Sequence, residues 1–367
     1  VGRETHVSAN GIDWTPVALP AGMQLASVAF DGTRFVGAGA SSTGTGDAVG
    51  AIATSVDGVV WTRRTASAPG LLEKVAYVGG KYIAISSAEN FALVSSDAIT
   101  WTRHDFGFGM MAGRLCSIGY AFGRYLIGAG SQRYFTSPDA NFWTVTDGPA
   151  GMVANTFVLK SSRLLAIGTD RSVFASSDAW TWQAWGNTAK VFYGVAHGAG
   201  RYLAVASDGC YSSVEGVRWS FESSAVRGGS PQNIAFGLNR FVGVGESDGS
   251  LLTSSTGRYW RPVDALKGIA LGGVIAAGDR LFATAQFHLA TTADGTNWSV
   301  QPNPLNGTIR QVAYGNNVYV AGGNALARSS NGTTWTTALS LPTGQQVFGL
   351  TFGNGMFLAV GRGTDSP

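Results

Sequence analysis

Eight residues outside any repeated pattern carry side chains suited to meeting a ligand: Arg133, Tyr134, Arg171, Trp185, Arg227, His288, Arg310 and Arg362. An aromatic ring beside arginine and other polar groups stacks on a sugar ring while polar neighbours bond its hydroxyls. Bond cleavage is a stricter demand. Glycoside hydrolysis needs two carboxyl groups at a set separation, and Asp47, Glu89, Asp170, Asp208, Glu246 and Asp248 have no spacing that pairs them. His6, His104, His197 and His288 make no metal or triad motif. Cys116 and Cys210 are the two cysteines and lack metal-ligand spacing. Binding is expected rather than catalysis, with no metal and no cofactor.

What must position these residues is a seven-residue pattern, Ser/Thr-x-Asp-Gly-x-x-Trp or a near variant. It occurs nine times, at residues 8–14, 55–61, 95–101, 137–143, 176–182, 213–219, 254–260, 292–298 and 329–335. Its tryptophans recur at steps of 37 to 47 residues. One unit reads Ser27-Val28-Ala29-Phe30, a turn at Asp31-Gly32-Thr33, Arg34-Phe35-Val36-Gly37-Ala38, a loop, Ala51-Ile52-Ala53-Thr54, the heptapeptide, then Trp61-Thr62-Arg63. These are four short strands, A to D, bounded by turn residues. The 52 glycines and the 13% of charged residues suit short strands and tight turns. Four antiparallel strands in about forty residues make one propeller blade.

The chain ends indicate how such an array would close. Residues 350–360 supply strands A and B without a heptapeptide after them, whereas the first residues supply a heptapeptide and a strand D without an A–B hairpin before them. The expected fold is all-β: a single nine-bladed β-propeller domain over residues 1–367 with four-stranded antiparallel blades. Its ninth blade is built from about 348–363 plus about 4–18, and N-terminal outer strands pairing with C-terminal inner strands close the ring and leave no open edge.

Within the heptapeptide, Asp or Asn is expected to bond nearby backbone N–H groups while Gly takes the backbone strain of the turn. The Trp is expected to pack between neighbouring sheets. Residues such as Ser55-Val56-Asp57-Gly58-Val59-Val60-Trp61 and Ser95-Ser96-Asp97-Ala98-Ile99-Thr100-Trp101 resemble the Asp-box (BNR repeat) propellers, which include sialidases, other glycoside hydrolases, sortilin-type receptor ectodomains and photosystem assembly factors. That resemblance covers all nine repeats and implies that the boxes are structural turns away from the ligand site. It also implies six blades and a Phe/Tyr-Arg-Ile-Pro segment for a sialidase, and no such segment occurs here. Strand B opens on a basic residue in seven units: Arg34, Lys81, Arg124, Arg163, Arg201, Arg240 and Arg280. Six of those units carry an acidic box residue, so an ion pair within each unit is expected.

The net charge of +3 gives no footing for nucleic acid. The apolar run at residues 268–278 is shorter than the ~20 residues of a membrane span, so no membrane insertion is expected. Val1 begins no signal-peptide pattern, and the missing initiator Met points to a processed or excised segment. With the boxes on one face, the B–C and D–A loops must carry function on the other. The sequence leads to a non-catalytic recognition propeller, extracellular or virion-associated, binding a cell-surface glycan or protein as a lectin-like module or a phage-tail receptor-binding appendage. A sialidase-like hydrolase and an assembly hub holding a structural partner in a wide axial channel are the alternatives.

Overall fold

The computed structural model describes residues 5–42, 49–86, 89–106, 115–129, 133–149, 156–160, 163–167, 173–184, 192–206, 208–214, 218–224, 234–244, 251–305, 307–342 and 344–362. They form nine four-stranded antiparallel sheets and one 3-10 turn, Asp264–Leu266. In the first sheet, strands A to D are Met23–Phe30, Phe35–Ser41, Val49–Ser55 and Thr62–Pro69. In the second they are Lys74–Val78, Lys81–Ser86, Phe91–Ser95 and Thr102–Asp105. The ninth sheet joins Gln346–Gly353 and Met356–Arg362 to Thr5–Ser8 and Thr15–Pro16, so strands from the two ends of the chain share one sheet, as expected. Residue contacts divide the chain into two compact units: Val1–Val7, Thr15–Ala184 and Leu358–Ser366 form one, and Ser8–Trp14, Trp185–Phe357 and Pro367 form the other.

Strands B and C carry the core. Tyr82-Ile83-Ala84-Ile85-Ser86 and Phe91-Ala92-Leu93-Val94-Ser95 are buried at every position, whereas the outer strand Thr102–Asp105 is mostly exposed. A strand buried on both faces needs a continuous apolar run rather than alternation, which is how these segments read. The cores lie between successive sheets. Val36 and Ile52 of the first sheet pack in one cluster with Phe91, Leu93 and Trp101 of the second. Phe282 and Leu289 of the seventh pack likewise with Tyr319, Ala327 and Trp335 of the eighth. The tryptophans therefore pack where the sequence places them, between sheets.

The heptapeptide turn has one repeated geometry. In residues 95–101, Asp97 Oδ1 accepts from the N–H groups of Ile99 and Thr100, both at 2.8 Å. Ser95 Oγ accepts from Ala98 N–H at 2.8 Å, and Trp101 Nε1 donates to the Ala98 carbonyl at 3.2 Å. Asn331 reproduces the paired acceptance from Thr333 and Thr334 at 2.9 and 2.8 Å. The fourth position is left-handed in each described turn, with φ of 61° at Ala98, 62° at Ala140, 60° at Ala179 and 80° at Gly257. A left-handed alanine costs about 1 kcal/mol. Each of the three methyls is fully buried in a core cluster, which offsets that cost. At Gly257 the same space belongs to a neighbour, because a Cβ there would lie 1.9 Å from Leu203 Cδ1 in the preceding sheet.

The basic residues opening strand B act differently from the expected ion pairs. Among the described residues, none of the seven pairs with a heptapeptide carboxylate. Arg34 donates to the Asp97 backbone carbonyl of the next sheet at 2.9 Å, and Arg124 lies 4.9 Å from the Trp180 ring centre of the next sheet. A Cβ on Gly295 or Gly332 would strike the stems of Arg240 and Arg280, each from the preceding sheet. Arg201 stays within its own sheet but reaches Ser212 and Glu222 instead. The contact runs between sheets because strand B underlies the following sheet's turn, and its partners are ring faces and carbonyls.

A second tie runs the opposite way. Tyr125 donates to the Gly79 carbonyl in the A–B turn of the preceding sheet at 2.5 Å. Tyr82 donates to Asp31, and Tyr319 to Asp279, in equivalent positions. Asp31 also accepts from the N–H groups of Thr33 and Arg34. Burial pushes its carboxyl upward, and the Tyr82 hydroxyl with these backbone donors more than offsets it, holding the group at about 2. A carboxyl depressed in the folded state stabilises fully above its unfolded value, and that stability is lost as pH falls through the folded one. Urea-unfolding midpoints are therefore expected to fall between about pH 4 and 2, with a shallower fall in Asp31→Asn. Asp57→Ala is expected to cost about 1–2 kcal/mol through loss of the acceptor for Val59 and Val60, and Asp57→Asn much less, in the same urea assay.

Candidate recognition surface

Of the eight residues singled out in the sequence, Arg171, Trp185 and Arg227 lie outside the described residues, as does the side chain of Arg362. Asp47, Asp170, Glu246 and Asp248 do too. Arg133 opens strand Arg133–Ser137 opposite Asp147 and pairs with it at 2.9 Å, both side chains being well exposed. Tyr134 is no surface residue. It is fully buried, its ring meets Trp182 edge-on at 5.7 Å, and its hydroxyl donates to the Trp180 carbonyl at 3.0 Å. Its place on strand C turns it inward, and it serves packing between the third and fourth sheets. His197 likewise pairs with Tyr202 across its hairpin, with ring centres 4.6 Å apart.

His288 and Arg310 both belong to the second unit. His288 is the exposed first residue of strand His288–Thr292, facing Pro302 across the ladder. Arg310 donates to Gln346 Oε1 at 2.8 Å, and its backbone N–H bonds the Gly322 carbonyl at 2.9 Å.

Two residues that sequence reasoning passed over organise this surface. Phe287, in the turn between Arg280–Ala285 and His288–Thr292, leaves 68% of its surface exposed. Asn303 is buried beneath it. Its amide nitrogen lies 2.8, 3.1 and 2.5 Å from the carbonyls of Ala285, Gln286 and Gly307, and its side-chain oxygen accepts from Leu305 N–H at 2.9 Å. Its own N–H bonds the Phe287 carbonyl at 2.9 Å. One amide thus ties the B–C turn of the seventh sheet to the segment leading into the eighth. The signal in the sequence is Pro302-Asn303-Pro304, an amide between two residues of fixed φ. The next B–C turn follows closely, because a Cβ on Gly307 would lie 2.9 Å from Asn324 and Val347 N–H bonds the Gly323 carbonyl at 2.7 Å.

No protein-family model matches the chain, and no curated protein matches its sequence. Solved structures do. BamB from Moraxella catarrhalis superimposes with a TM-score of 0.56 at 10% identity, over 96% of this chain and 97% of that one. The computationally designed Ika8 protein gives 0.54 at 10% identity, over 89% and 99%. The fold is a β-propeller. A structure of YCF48 bound to D1 peptide is also similar, at 14% identity over 94% of this chain and 95% of that one, with a TM-score of 0.48. At such identities the propeller likeness speaks for architecture alone.

Among the described residues no group of three or more His, Cys, Asp and Glu side chains converges as a metal site. Glu89 and Asp208 are the described carboxyls of the earlier candidate set, and Asp208 Oδ2 accepts from the Tyr211 hydroxyl at 2.8 Å. What the propeller offers at the Phe287 turn is a fixed shape: an exposed ring and imidazole on a turn held by a buried amide. Asn303→Ala strips three carbonyls and one N–H of their partner. It is expected to cost about 2–3 kcal/mol in urea unfolding and to raise amide exchange at residues 285–288.

Proposed function

We propose that this chain is a non-catalytic recognition propeller of nine blades and Asp-box type. Its Phe287 turn binds a cell-surface glycan or protein, outside the cell or on a virion, as a lectin-like module or a receptor-binding appendage. The observation that carries the reading is the exposed Phe287 ring on a turn immobilised by Asn303. An apolar ring left in water on a flexible loop would lose binding energy to ordering, whereas one held in place loses little. Rigid aromatic anchors of this kind are what hot spots in binding surfaces consist of. His288 beside it adds a polar tip, and Arg310 with Gln346 supplies further donors and an acceptor on the same stretch of loops. Nothing about the residues of this turn provides a nucleophile or an acid–base pair, and the reading assigns it no turnover.

Glycan-array and cell-surface binding by the whole chain is the test, run beside an aryl-glycoside activity screen. Phe287→Ala is expected to weaken binding by at least about tenfold, roughly 1.4 kcal/mol, with an unchanged unfolding midpoint. Equal binding by Phe287→Ala would move the site elsewhere. Robust glycoside turnover abolished by substituting one loop-face carboxylate would replace recognition with hydrolysis.

A further inference from the structure

Four asparagines in this chain precede a glycine: Asn10, Asn306, Asn331 and Asn354. Such a pair can react with itself, because a glycine brings no side chain to hinder its nitrogen from attacking the asparagine side-chain carbonyl carbon. Asn306 lies outside the described residues, and the other three stand in two opposite settings. Asn10 and Asn331 are the third residues of heptapeptide turns. Asn10 Oδ1 accepts from the N–H groups of Ile12 and Asp13 at 2.8 and 3.0 Å, and Asn331 Oδ1 from those of Thr333 and Thr334 at 2.9 and 2.8 Å. The nitrogens that would attack are committed as well. Gly11 and Gly332 are buried, and each donates its N–H at 2.8 Å to the serine oxygen that opens its turn, Ser8 or Ser329. A Cβ on Gly11 would lie 2.8 Å from Val320, and one on Gly332 2.4 Å from Arg280, so neighbouring side chains close round both glycines.

Asn354 and Gly355 are instead the two loop residues between Gln346–Gly353 and Met356–Arg362, with φ of 47° and 74°. Two left-handed residues make a tight hairpin turn whose closing hydrogen bond joins the flanking residues and does not use the second loop N–H. Both residues are exposed, and nothing lies within 4 Å of the Cβ position of Gly355. The loop can therefore change its dihedrals without displacing a packed neighbour. Its other role is as an anchor. In the second unit, Asn316 Nδ2 in the A–B turn of the eighth sheet donates to the Gly355 carbonyl at 2.8 Å and to the Ala9 carbonyl at 2.9 Å.

We propose that Asn354 is a self-modification site, converting to aspartate and isoaspartate in the folded chain, and that the product releases the Asn316 tie between the eighth and ninth sheets. The Gly355 nitrogen forms a bond to Asn354 Cγ, the Cγ–Nδ2 bond breaks, and ammonia leaves with the proton from the Gly355 N–H. Water then opens the cyclic imide at either of its carbonyls. Opening at the backbone carbonyl routes the main chain through Cγ and so inserts an extra backbone carbon into a loop of two residues. The added length carries the Gly355 carbonyl away from the Asn316 amide that holds it.

This site is independent of the Phe287 turn, and the two fail separately. The test ages the whole chain in mildly alkaline buffer, folded and in urea, and follows Asn10, Asn331 and Asn354 by peptide mapping with mass spectrometry. In the folded chain Asn354 is expected to react at least about tenfold faster than Asn10 or Asn331, whose glycine nitrogens must first lose a hydrogen bond. In urea the three rates are expected to converge. The aged chain is expected to unfold at a lower urea midpoint than the fresh one. Asn354→Gly removes the reactive amide and suits the left-handed backbone, so its midpoint is expected to hold on ageing. Reaction of Asn10 or Asn331 as fast as Asn354 in the folded chain would overturn the assignment, as would an inert Asn354 under conditions where the urea-unfolded chain reacts. An unchanged midpoint once Asn354 has converted, or an equal fall in Asn354→Gly, would overturn the release of the tie.

Discussion

One side-chain oxygen answering two backbone N–H groups is the constraint from which the rest of this structure follows. In the turn at residues 95–101, Asp97 Oδ1 takes the N–H groups of Ile99 and Thr100, which frees strand D to leave the turn with its donors satisfied. The left-handed residue before them brings its carbonyl round to Trp101 Nε1, and the indole is thereby aimed between sheets. The acceptor rather than the charge does this, since Asn10 and Asn331 hold the same two bonds. Among the described residues seven turns repeat that pair of bonds, and packed indoles such as Trp101 and Trp335 bind a sheet to the one before it.

The ties between sheets run in both directions. Strand B of one sheet reaches forward under the next sheet's heptapeptide turn, as with Arg34 and Asp97. Strand B of the following sheet reaches back to the A–B turn before it, as with Tyr125 and Gly79. Between the first and second sheets the forward contact of Arg34 and the backward contact of Tyr82 to Asp31 together resist sliding in both senses. In the second sheet they also place the polar work at the ends of the strands, leaving the middle of strands B and C apolar.

Architecture was legible in the sequence because its determinants are local and repeated. Tryptophan spacing, the Asp-Gly turn and the A–B aromatic positions all lie within one unit, and the complementary halves at the two chain ends predicted the shared ninth sheet. Relations between units were harder to read. The acid and base of one repeat are neighbours in sequence, which suggested an internal ion pair, but strand B lies closer to the next sheet's turn than to its own carboxylate. Tyr134 sits at the boundary of a loop, and only the strand's orientation shows that it points into the core. Asn303 escaped notice because its three carbonyl partners come from two different segments, and no local pattern announces such a knot.

The left-handed position of the turn carries information about order. At Ala98, Ala140 and Ala179 the repeat fills its own space with a methyl group, whereas at Gly257 the space is reserved for Leu203 of the sheet before. The leucine alone does not decide which is used, since Leu126 holds the same strand position in the third sheet and packs in one cluster with the Ala179 methyl that follows it. The units look interchangeable as text, yet behind the same leucine the space is filled by a methyl at Ala179 and by the leucine itself at Gly257. Setting a repeat with the Ala179 turn behind the sheet that carries Leu203 would thus require that leucine to repack, because its Cδ1 lies where the methyl would go.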